Sequence, residues 1–203
     1  MLDSTNPDAI MAAVRENRQW RGMVIRAAAL YIDGKWPAPA AVLTALRTRV
    51  GVLEITVAGT MGSGAAKIKA AGDVEPGDLD PASGAQWAMD EKQAGGWPVL
   101  YSNRSEKPEV LGECKALGMA PGPDFGLWTA TLDGTFTDLD GTDLRLQPGM
   151  VAVQYADAAM TGIDADASVL TAAGEKWLGL AASWESQAAS LAEQLAALLH
   201  EHA

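Results

Sequence analysis

The chain has 203 residues, 48% of them hydrophobic, enough for one sizeable core in a single domain with appendages. Fifteen Lys and Arg stand against 26 Asp and Glu, a formal net charge of −11, a field that repels nucleic acid backbones and anionic membrane surfaces. A lone Cys114 leaves no internal disulfide, and the two histidines, His200 and His202, fall in the last four residues, so neither a His-based triad nor a hydrolytic zinc site is expected, and no cofactor.

No apolar run reaches the roughly 18 residues a membrane span needs, and MLDSTNPDAI is unlike a signal peptide. The expectation is a protein made in the cytoplasm, with another route to any site of action outside the cell. If it is a hydrolase, carboxylates must carry the chemistry.

In chain order, Asn6-Pro7 opens a short helix that the apolar spacing continues to about Trp20. Val24 to Ile32 (VIRAAALYI) suits a strand buried on both faces. Pro39 to Arg49 reads as a helix with a Val42, Leu43 and Leu46 stripe, and Val50 to Ala58 as a β-branched strand. After GTMGSG comes a strand ending at Asp73-Val74-Glu75, then a helix over 81–94, a strand over 97–102 and a helix over 106–117. Strands over 125–131 and 150–155 follow. This alternation is the signature of a parallel α/β sheet or barrel.

Trp177, Trp184, Leu191 and Leu198 then recur every seven residues, an a/d-like stripe on a helix of about six turns. Such a helix folds back on its own domain or serves as a self-association or docking element. The expected organisation is a helical extension over 1–23, a β/α barrel over 24–176 and an amphipathic helix over 177–203.

The stretch GDVEPGD carries the candidate chemistry. On a strand, Asp73 and Glu75 point to one side while Val74 packs on the other, and Pro76-Gly77 marks the strand's C-terminal end, where a parallel barrel builds its active site. Asp33 closes an earlier strand in LYIDG, and Asp164 and Asp166 follow Tyr155. Strand-end acids converging on one mouth raise at least one pKa by like-charge repulsion, giving the acid beside a base that glycoside cleavage needs.

Two further stretches are set aside. GTMGSGAAK follows a strand but lacks the Gly-Lys-Ser/Thr ending of a phosphate loop. Asp133, Asp138, Asp140 and Asp143 lack the spacing and terminal Glu of a calcium-binding hand and read as turn residues.

In order, LYIDG, LEITVAG, GDVEPGDLDP with Gln86-Trp87, PVLYSN, LWTATLDG, and VAVQY with DADASVL resemble the blocks of the Chalaropsis-type lysozymes, glycoside hydrolase family twenty-five, in a short branch found in actinobacteria and their phages. The resemblance spans roughly residues 28 to 170. It implies a shortened, modified TIM-like β/α barrel that cleaves the glycan strand of peptidoglycan. By match to the Asp-x-Glu motif, Glu75 would be the proton donor and Asp73 its electrostatic partner. Asp166 would stabilise the oxocarbenium-like centre or orient a nucleophile, with Asp164 as the competing choice. Asp33 would complete the ring, and Tyr101, Trp128, Gln154 and Tyr155 would line the cleft.

The chain also departs from the family. About fourteen residues stand where a full strand with an aromatic-rich end is usual, and Leu132 stands where the tryptophan strand usually reaches a tyrosine. Two readings follow: a muramidase-like endolysin or virion-associated hydrolase acting on the cell wall, and a barrel without turnover that serves as a phage virion component or glycan-binding module. The second would engage virion proteins or further copies of the chain through the C-terminal helix.

Overall fold

The computed structural model describes residues 1–20, 23–60 and 69–180. The heptad-like stretch past Leu180 and most of GTMGSG therefore lie outside the described residues.

Eight strands close into a barrel: β1 (Leu2–Ser4), β4 (Ala27–Tyr31), β5 (Gly51–Thr56), β6 (Lys69–Val74), β7 (Val99–Asn103), β8 (Gly126–Ala130), β9 (Met150–Ala156) and β10 (Asp166–Leu170). A separate hairpin pairs β2 (Gln19–Trp20) with β3 (Met23–Val24). From β4 to β9 every neighbouring pair is parallel, β1 runs parallel to β4, and β10 alone is inverted, antiparallel to both β9 and β1. The C-terminal ends of seven strands and the N-terminal end of β10 thus share one mouth.

The helices are α1 (Pro7–Arg15), α2 (Ala40–Arg47), α3 (Pro81–Gln93), α4 (Lys107–Ala116), α5 (Ala158–Thr161) and α6 (Ala172–Trp177). Local chemistry sets their starts. The Asn6 side chain accepts from the Asp8 and Ala9 amides with Pro7 at the first position, and Asp80 accepts from Ser83 ahead of α3. No described helix is long and apolar enough to cross a membrane.

The barrel interior is filled by Ala29, Leu53, Ile55, Ala71, Val99, Tyr101 and Trp128, so it is a packed core and no channel. Outside it, one cluster lies under α3 and α4 and contains Trp87, Leu100, Cys114 and Phe125. Burial and the neighbouring Glu113 push the Cys114 thiol up to about 12, which keeps it unreactive. A second cluster, with Ile10, Leu30, Leu46 and Tyr155, lies under α1 and α2.

The mixed α/β barrel agrees with the sequence expectation, and the N-terminus corrects it. Residues 2–4 are not part of a helical extension; they are the strand that closes the barrel between β4 and β10. The first helix ends at Arg15, and the expected strand from Val24 to Ile32 is broken at Arg26, whose guanidinium pairs with Glu175 at 2.7 Å. That charge has to leave the sheet, so only Ala27–Tyr31 continues as barrel.

Candidate active site

Asp73 is the next-to-last residue of β6 and Glu75 follows the strand directly. Their placement depends on Gly72. This residue faces outward, and a Cβ there would fall 2.7 Å from Cε3 of Trp87 on α3. Only glycine lets α3 lie this close, which holds the strand end in place one residue before Asp73.

Asp73 turns into the barrel and is 1% exposed. One carboxyl oxygen accepts from the Tyr31 hydroxyl at 3.0 Å, and the other has no partner among the described residues. Burial, then the neighbouring Glu75 charge, pushes its pKa up to about 8 against the pull of the Tyr31 hydrogen bond. Glu75 is half-buried, and its pKa is raised by burial first and by Glu106 second.

From Glu75 a hydrogen-bonded line crosses the mouth. Glu75 bonds the Tyr101 hydroxyl, Tyr101 bonds Gln154 Oε1, and Gln154 Nε2 donates to Asp3 and to Asp166, each at 2.9 Å. The amide has two protons and both go to carboxylates; the reverse orientation would set its oxygen against them. Gln154 Oε1 must therefore accept, and the single Tyr101 proton is spent on it. The Tyr101 contact pulls the Glu75 pKa down, and burial with the Glu106 charge outweighs it.

Asp3 is the residue that sequence reasoning missed. It is 6% exposed, sits directly across from Asp166 in the β1–β10 register, and has one carboxyl oxygen with no partner among the described residues. Burial, and next the Asp166 charge, raises its pKa well above the ordinary aspartate value. Asp166 opens β10 and also accepts from the Ala158 amide; burial, together with Asp157 and Asp164, still raises its pKa.

Other expected members lie elsewhere. Asp33 does not complete the ring: its carboxylate accepts from the Thr56 hydroxyl and, at 2.8 Å, from the Val57 amide. Burial would raise it, but hydrogen bonds from Thr56, Thr60, Val57 and Ala58 together hold it below the ordinary range. It is a fastener between the ends of β4 and β5, and Asp3 takes the place given to it. Asp164 has φ 53°, accepts from the Asn6 amide at 2.8 Å, and ties the start of α1 to β10.

Tyr101 and Gln154 are in the network, whereas Trp128 and Tyr155 are not cleft walls. Trp128 is 1% exposed inside the barrel, edge-on to Tyr101 at 4.7 Å, with its indole N–H on Ser168. Tyr155, next to inward-facing Gln154 on a strand, points outward and packs against Phe136. The acids of the 133–143 loop serve turns and ion pairs: Asp133 with Arg104, Asp138 with Lys107, and Asp143 with Arg145. Among the described residues no group of three or more His, Cys, Asp or Glu could hold a metal ion.

Taken together, the mouth holds Asp3, Asp73, Glu75 and Asp166, tied by Tyr31, Tyr101 and Gln154. Raised pKa values and hydrogen-bonded proton order are what general acid–base work requires. Comparison with known proteins returns no match, whether to family models, to curated proteins or to solved structures.

Proposed function

We propose that the barrel is a glycoside hydrolase of the muramidase-like kind, acting on a peptidoglycan glycan strand at a cell wall or from a phage particle. The single observation that carries this reading is the Glu75–Tyr101–Gln154–Asp166 line, which joins a half-exposed carboxyl of raised pKa to a second carboxylate across one mouth. Glu75 gives its proton to the glycosidic oxygen as the bond to the anomeric carbon breaks. Asp166 faces the positive charge that develops on the sugar ring. Asp73, at 1% exposure, touches no substrate; it is a positioning residue, held by the Tyr31 hydroxyl at the strand end that carries Glu75. Asp3 orients Gln154 and keeps the amide aimed at Asp166.

The reading is tested by reducing-sugar release and turbidity loss on purified actinobacterial peptidoglycan, native protein against Glu75→Gln. The expected result is measurable release by the native protein and a loss of roughly 10²-fold or more in the variant. Folded protein that is silent on several walls in both forms refutes it.

The alternative reading, a glycan-binding or virion barrel without turnover, is favoured by the burial of Trp128 and the outward turn of Tyr155. These remove two aromatic faces that would grip a sugar chain during turnover. Saturable glycan binding with no cleavage would establish it.

A further inference from the structure

The end of the barrel opposite the carboxylates has the reverse character. A pocket of about 930 Å³ opens there, and Arg26, Arg47, Arg49 and Lys69 all contribute to its wall with Asn17 and Leu180. Four of the chain's fifteen cationic residues thus meet at one place on a protein of net charge −11, and among the described residues no carboxylate lines the pocket.

Two of these cations are committed. Arg26 pairs with Glu175 and also donates to the Leu180 carbonyl at 3.2 Å, and Arg47 pairs with Glu54. The other two have no acidic partner among the described residues. Arg49 is exposed at the end of α2. Lys69 begins β6, is partly buried, and rests its ammonium 5.4 Å from the Trp177 ring centre. Burial lowers its pKa. A partly desolvated ammonium whose charge faces a ring and no described carboxylate is costly to keep unless an anion arrives.

Two opposing considerations weigh less. A cation at the end of α2 also complements the helix dipole, which accounts for Arg47 but not for Lys69 on a strand. The protein's net charge opposes anion approach at long range, but beyond about 8 Å it is screened at physiological ionic strength, and the ligand meets the local surplus of two positive charges. The volume is that of a small-molecule site.

We infer that this pocket binds a phosphate-class dianion, free or as a phosphoester, between Arg49 and Lys69. The surplus of two positive charges matches a dianion and not a monocarboxylate, and guanidinium with ammonium is the usual pairing for phosphate oxygens. The site is independent of the mouth chemistry and stands whether or not the barrel cleaves glycan.

The test is a thermal-shift and calorimetric titration of the full chain with inorganic phosphate, glycerol phosphate and acetate at pH 7.5 and constant ionic strength. Phosphate is expected to raise the melting temperature saturably and acetate to leave it unchanged. Lys69→Met should abolish the rise, and Arg49→Gln, at an exposed position that tolerates substitution, should weaken binding about tenfold. Lys35→Met, at the far rim of the barrel, should leave it intact. Equal affinity for phosphate and its ester assigns a free ion, and tighter ester binding assigns an esterified source. Phosphate no better than acetate, or an undiminished response in Arg49→Gln, overturns the inference.

Discussion

Replacing Asp73 with Asn should make the protein more stable, and increasingly so as the pH rises. In the folded state the carboxyl is 1% exposed and keeps its proton up to about pH 8, whereas in the unfolded chain it ionises near 3.8. Between these values the folded state binds the extra proton, so this group's contribution to stability is complete below about pH 4 and is lost as the pH climbs to about 8. The interval is about four pH units at ~1.36 kcal/mol each, so ionisation removes up to ~5 kcal/mol by pH 8, and about half of that by pH 6. Asparagine keeps the shape and an oxygen for the Tyr31 hydroxyl but has nothing to ionise. Urea denaturation of both proteins from pH 4 to 9 reads the effect directly: the two curves should meet near pH 4 and separate steadily in favour of Asn. A difference that is flat with pH, or a variant less stable at pH 8, would refute the account of Asp73 as a buried neutral acid.

Two other outcomes follow from the network. Gln154→Leu strips Asp3, Asp166 and Tyr101 of one shared partner at once, and should cost ~3 kcal/mol or more in urea denaturation, together with any glycan cleavage. Asp33→Ala should cost ~1–2 kcal/mol through the lost Thr56 and Val57 hydrogen bonds yet leave glycan cleavage within about twofold; a loss matching that of Glu75→Gln would return Asp33 to the site.

The strands β4 to β9 were legible because each is an apolar run long enough to register, bounded by turn residues. Leu2–Ser4 has three residues, too few for any period, and its Asp3 looks like part of a polar leader to α1. Closure of the barrel, a non-local event, converts it into a buried carboxylate at the mouth. Asp33 misled for the opposite reason. It follows a convincing strand, but β4 stops at Tyr31 and the next residues turn outward to fasten β5. Parity separated Gln154 from Tyr155: adjacent residues on a strand cannot share a face, so only one could reach the mouth. Tyr31 carried no signal at all; its role exists only because Asp73 is opposite.

The inversion of β10 also governs where the chain goes. Every other barrel strand delivers its following segment to the carboxylate side, but β10 starts there and runs away from it, and Trp177 and Leu180 come to rest beside Trp97 and Gly51 at the far end. A cargo, tether or neighbouring subunit joined just after Leu180 would begin its path on the side remote from the acids. The fold thereby separates attachment from access: the molecule can be anchored by its tail with its mouth facing outward.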